Sequence, residues 1–204
     1  MSSLPTTVPL TELEVVNKML FSIGEAPVNT LDGSVLEAVQ AVTVLRNINL
    51  EVQSHGWHFN TEERFPLVPN TNKEIPIGVN VLSVDASKYE DWDVVQRGQR
   101  LYNRRDRTFE FNKEVLCDIT FGLPYDQLPQ YARWYICVKA TRQFCEGFLG
   151  GELQAAFTQR DEQDAWRMFL KVEGRQGDYN MLTGSSAVAR VLTRRPYNKR
   201  IVRF

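Results

Sequence analysis

The chain has 204 residues, 43% hydrophobic and 24% charged, the composition of a globular protein with enough core to fold without disulfides or a structural metal. A net charge of −1 excludes a long-range field that draws nucleic acid to the molecule as a whole. The charge is divided, however: residues 184–204 hold Arg190, Arg194, Arg195, Lys199, Arg200 and Arg203 and no acid, which leaves 18 basic against 25 acidic residues in the rest, a body of −7 and an arm of +6.

The opening Met1-Ser2-Ser3-Leu4-Pro5 has neither a basic stretch nor an apolar run, so no signal peptide is expected. No stretch is apolar enough to span a bilayer. Cys117, Cys137 and Cys145 lack metal-ligand spacing and are expected to be reduced core thiols.

The first helix is signalled by Thr11-Glu12-Leu13-Glu14, a capping box in which hydroxyl and carboxylate each satisfy a free backbone N–H. Leu13, Val16, Leu20 and Ile23 follow on one face, and Gly24 supplies a left-handed stop. Ser34-Val35-Leu36-Glu37 has the same capping pattern and predicts a second helix running to about Ser54. Its buried stripe is Val35, Ala38, Val42, Leu45, Ile48 and Val52. After Gly56 the period falls to two: Trp57, Phe59 and Thr61 alternate with polar residues, as in a strand. Phe65, Pro66, Leu67 and Pro69 predict an edge strand or extended loop. Short strands are expected around Ile75–Ile77, Val79–Val84, Asp91–Val95, Leu101–Asn103, Phe109–Phe111 and Val115–Phe121, with a turn at Arg97-Gly98-Gln99. Helical period returns after Pro124, with Pro129 in the first turn. Tyr131, Trp134, Tyr135, Val138, Phe144 and Phe148 make an aromatic stripe. Gly150-Gly151 breaks the chain before a last helix carrying Leu153, Ala156, Phe157, Trp166, Phe169 and Val172, ended by Gly174 and Gly177.

The expectation is an α+β protein. Residues 1–56 and 123–183 form an antiparallel four-helix bundle, residues 57–122 an inserted small antiparallel β module, and residues 184–204 an extended basic C-terminal arm.

No enzymatic signature stands out. His55 and His58 flank a helix end and make no closed zinc set. Glu62, Glu63, Asp91 and Asp93 are carboxylates of the type a glycosidase pairs, but nothing in the order of residues makes them face each other. Phosphate-binding loops and nucleophile elbows are missing. Arg97, Arg100, Arg104, Arg105 and Arg107 interleave with Tyr102 and Phe109, a strip suited to an acidic protein partner, to solvent or to nucleic acid. The arm has three readings: a nucleic-acid tail, a solubility tail, or a segment that orders on a partner protein. Its interleaved Val188, Val191, Leu192, Tyr197, Ile201, Val202 and Phe204 favour the third, because apolar contacts offset the cost of ordering.

Four segments carry a resemblance. Val16-Asn17-Lys18-Met19-Leu20-Phe21-Ser22-Ile23-Gly24-Glu25-Ala26-Pro27-Val28 resembles the opening of tail tubular protein A, the family of head-to-tail adaptors of short-tailed bacteriophages. Val52-Gln53-Ser54-His55-Gly56-Trp57-His58-Phe59-Asn60 is similar to that family's helix-to-strand junction. Leu128-Pro129 with Ala140–Phe144 resembles its third helix, and Tyr179-Asn180-Met181-Leu182 its post-bundle segment. The stretch from Pro69 to Phe121 is similar in general character only.

The resemblance implies a structural, non-enzymatic virion protein of the phage tail. It implies a twelve-fold ring, a dodecamer, that joins the portal protein to the nozzle (tubular protein B) and continues the DNA ejection channel. DNA passes without sequence-specific binding, and neither membrane, metal nor cofactor takes part. On this view Arg190, Arg194, Arg195, Tyr197, Arg200, Arg203 and Phe204 bind the portal, and Arg97, Arg100, Arg104 and Arg105 bind the nozzle. Two rival functions are a tail-associated glycan hydrolase using Glu62, Glu63, Asp91 and Asp93, and a nucleic-acid-binding module using the arm and the arginine strip.

Overall fold

A computed structural model describes residues 9–87, 91–149 and 152–176, with only the backbone over 149 and 152–158. The basic arm at 184–204 lies outside the described residues, as does the Gly150-Gly151 break. Helix α1 spans Glu12–Ser22 and opens with the expected capping box: the Glu14 N–H donates to Thr11 Oγ1 at 3.3 Å, and the Thr11 N–H donates to Glu14 Oε2 at 2.8 Å. Gly24, at φ +85°, turns the chain away. Helix α2, Leu36–Gln53, lacks the second capping box. Asp32 takes the Ser34 N–H at 3.0 Å and the Thr30 hydroxyl at 2.9 Å, so a local Asx turn forms there and Val35 occupies the cap with no side-chain bond.

The alternation Trp57-Phe59-Thr61 is not a strand. Asn60 folds residues 57–60 into a turn by accepting the Trp57 N–H at 2.8 Å, and β1 begins at Thr61, running to Leu67. Strands β1, β5 (Val115–Phe121) and β2 (Val81–Ala86) form an antiparallel sheet in the order β1-β5-β2. Pro66 therefore sits on an edge strand, where its missing N–H costs no ladder bond. A bulge between Glu62 and Phe65 places Arg64 at φ +57°, with its N–H on Asp118 Oδ1 at 2.9 Å. Strands β3 (Val94–Arg97) and β4 (Arg100–Asn103) form a separate two-stranded ribbon around Gly98, at φ +63°. Phe109–Phe111 is not a strand; Glu110 makes only an isolated bridge to Glu74. After a single 3-10 turn at Tyr125–Gln127 come α3 (Gln130–Leu149) and α4 (Glu152–Gln176), which continues through Gly174 rather than stopping at it.

The α+β class holds, but the helices do not close into a four-helix bundle. Helices α1, α2 and α3 pack on one another, whereas α4 packs on α3 without comparable contact to α1 or α2. The reason lies in where α4 turns its aromatic face. Trp57, from the helix-to-strand junction, meets Phe169 edge-on with centroids 4.6 Å apart and Trp166 at 5.7 Å, while Tyr135 of α3 lies 4.9 Å from Trp166.

Two hydrophobic clusters result. One joins Val16, Leu20, Leu45, Ile48, Ile136 and Phe169 of the helices. The other joins Ile75, Leu101, Phe111, Val115, Cys117 and Ile119 beneath the strands. All three cysteines are buried free thiols, as expected. Among the described residues no helix is long and apolar enough to cross a membrane.

Candidate functional site

The arginine strip lies on the β3–β4 ribbon and the turn after it. Arg97 and Arg100 stand directly opposite each other across the ladder, an arrangement that is unfavourable for like charges. Each is drawn aside. Arg97 stacks over the diagonal Tyr102, its guanidinium 3.6 Å from the ring centre. Arg100 bonds Glu74 at 2.7 Å and lies 4.4 Å from the Phe109 ring. Tyr102 and Phe109 meet edge-on at 4.9 Å, so the two cation–ring pairs form one surface.

Below them, Arg105 bonds Asp91 at 3.0 Å and Arg104 faces Asp93 at 3.6 Å. The hydrogen bond from Arg105 holds the Asp91 carboxyl below its ordinary range and raises Arg105 in turn. Buried Asn103 shapes the turn by accepting the N–H groups of Arg105 and Asp106 and donating to Asp106 at 2.8 Å. The four arginines assigned to one surface by their sequence spacing are thus brought together, each with a carboxylate or ring beside it. Asp91 and Asp93, candidates for paired catalytic carboxylates, are engaged by these arginines. Glu62 and Glu63 are exposed on edge strand β1. His55 lies 5.8 Å from the Trp57 ring, and among the described residues no cluster of three metal-ligating side chains occurs. The arm residues Arg190, Arg194, Arg195, Tyr197, Arg200, Arg203 and Phe204 lie outside the described residues.

Two features escaped the sequence reading. The first is a buried amide joint between helices and strands. Gln53 is fully buried and treats Leu123 as a strand partner: its Oε1 accepts the Leu123 N–H at 2.7 Å and its Nε2 donates to the Leu123 carbonyl at 2.9 Å. Asn60 donates to the carbonyls of Gln53 at 3.0 Å and Phe121 at 2.8 Å. Glu173, 5% exposed, accepts the His58 N–H and the Tyr131 hydroxyl, the latter at 2.6 Å, tying the end of α4 to the same junction. Burial first, then this bond to Glu173, pushes the Tyr131 phenol well above its ordinary value. A Gln or Asn at a helix end is too common to flag such a joint from sequence.

The second is a surface on the helices. Trp134, placed by periodicity in the aromatic stripe, is 42% exposed, and Met168 is 61% exposed.

The span that carries both clusters and the joint is also the span that matches known proteins: residues 13–179 match the family described as tail tubular protein. The chain belongs to that family. It is similar to tail tubular protein A of Klebsiella phage KP34, 28% identical over 142 residues that cover 69% of this chain and 75% of the relative. The protein is accordingly a structural component of the phage tail, part of the virion. The family match takes in α1 through α4 and stops short of residues 184–204.

Proposed function

We propose that the chain is the subunit of an adaptor ring that joins the portal to the tail nozzle and continues the DNA ejection channel. The observation that carries this reading is the family match across residues 13–179, which includes the helices, the strands and the joint between them. The mechanism contains no bond-making step. Repeated head-to-tail contacts between copies close a ring, a dodecamer, about the channel axis, and DNA passes through without sequence-specific contact.

The arginine ribbon is the nozzle grip in this scheme. Arg97, Arg100, Arg104 and Arg105 are already held by Tyr102, Glu74, Asp93 and Asp91, so less side-chain freedom is lost on docking than from free arginines. The pairing of Arg100, Arg104 and Arg105 with carboxylates also favours a protein partner over a phosphate backbone, which attracts unpaired cations. The arm, through Arg190, Arg194, Arg195, Tyr197, Arg200, Arg203 and Phe204, is the portal grip. The domain division at residues 56 and 122 then separates a portal-facing helical part from a nozzle-facing β part.

Electron microscopy of the protein mixed with its portal tests the scheme. A ring seated on the portal is expected from the whole chain. Deletion after Thr183 is expected to preserve the helical circular dichroism and abolish attachment. Normal attachment of the shortened chain refutes the portal role of the arm.

A further inference from the structure

Because α4 leans on α3 and leaves α1, a groove of about 500 Å³ stays open between them. Its floor is Trp134 and Val138 of α3; Lys18 of α1 forms one wall, and Asp161, Asp164 and Met168 of α4 form the other. In a closed bundle the first and fourth helices cover such a surface. Here Trp134 and Met168 are 42% and 61% exposed, and the Lys18 ammonium lies 4.4 Å from the indole ring. The lining carries two carboxylates, Asp161 and Asp164, and two cations, Lys18 and Arg142. Asp164 bonds Arg167 at 2.9 Å and Arg142 bonds Glu146 and Glu162, which leaves Asp161 with no ion-pair partner among the described residues.

We propose that this groove is the resting seat of the chain's own basic arm. Chemistry, reach and tethering agree. In the arm, Val188, Val191 and Leu192 recur at three and four residues, with Arg190 and Arg194 between and after them. Wound into a helix on docking, that pattern sets apolar side chains on Trp134 and Met168 and guanidinium groups towards Asp161. The arm carries +6 with no acid, and the body carries −7. Gln176 ends α4 about 18 Å beyond Asp164 at 1.5 Å per residue, while the stretch from Gln176 to Val188 extends up to about 40 Å, so the arm reaches back to the groove. Tethering supplies an effective concentration of about 1 mM, so an intrinsic affinity of only about 0.1 mM keeps the arm docked about nine-tenths of the time.

This goes beyond the arm's role as portal grip, and it stands without it. If both hold, the portal must displace the arm from the groove, and the grip is withheld until a portal is present.

Limited trypsin digestion of the full-length chain, without portal, tests the seat. Cleavage after Arg190 and Arg194 is followed by mass spectrometry and normalised to the same bonds in free peptides of residues 184–204. The intact chain is expected to be cut about tenfold more slowly than its peptide, at a rate unchanged on dilution. Two variants are expected to lose the protection: Asp161→Lys with Met168→Glu in the groove, and Val191→Ser with Leu192→Ser in the arm, which leaves the folded body untouched. An unprotected arm in the intact chain overturns the proposal. So does protection that survives both variants, or protection that fades on dilution, which places the arm on a second copy. None of these outcomes depends on portal attachment, so the portal role stands or falls separately.

Discussion

Gln53→Ala isolates the joint between helices and strands. The native side chain satisfies both the N–H and the carbonyl of Leu123, at 2.7 and 2.9 Å, from a fully buried position. Truncation leaves the Leu123 N–H without its partner, whereas the carbonyl retains a long contact with Asn49 Nδ2 at 3.5 Å. An orphaned buried donor costs about 1–3 kcal/mol, and the lost packing adds about 1 kcal/mol, so a destabilisation of about 2–4 kcal/mol is expected. For a chain of this length that corresponds to a fall in Tm of roughly 5–15 °C. Urea unfolding followed by far-UV circular dichroism measures it. Gln53→Glu is the control: it keeps the acceptor for the Leu123 N–H but sets an anion against the carbonyl. Burial raises such a carboxyl, so this variant should be weak at pH 7 and recover as pH falls and the acid gains a proton to donate. If Gln53→Ala loses less than about 0.5 kcal/mol, the side chain is not holding Leu123 and the joint rests on packing alone.

Three further outcomes follow from local geometry. Thr11→Ala removes the hydroxyl that caps α1 and should cost about 1 kcal/mol in the same urea assay. Arg64→Gly relieves a left-handed backbone at φ +57° in the β1 bulge and should stabilise the chain by about 1 kcal/mol; a loss instead means the Arg64 side chain outweighs the strain. Burial pushes the Tyr135 phenol up to about 12, with Glu162 and Glu51 adding to the effect. The folded state therefore holds this proton more tightly than the unfolded state, so its stability is complete below pH 10 and is lost as pH rises through about 12. Tyr135→Phe should move the alkaline midpoint of the helical signal upwards.

Local chemistry made much of the chain legible. The Thr11–Glu14 box forms because its partners are three residues apart and need nothing from the rest of the fold. Pro66 pointed to an edge strand or an extended loop because proline cannot donate to a ladder, and the turn at Gly98 was visible because few other residues accept its positive φ. The arginine strip was legible for the same reason: its members are close in sequence and share one ribbon and the turn after it.

Where two local patterns competed, sequence spacing did not identify the winner. Asp32 outcompeted the Ser34–Glu37 box for the Ser34 N–H, and Asn60 folded an alternating segment into a turn. The packing of the last helix depended on partners far away. Periodicity placed Trp166 and Phe169 on one face but did not say that Trp57, more than a hundred residues earlier, would meet them. That long-range aromatic contact seats α4 on the helix-to-strand junction, and Trp134 stays 42% exposed. Amphipathic spacing states that a face must be buried, while only the tertiary structure decides what buries it.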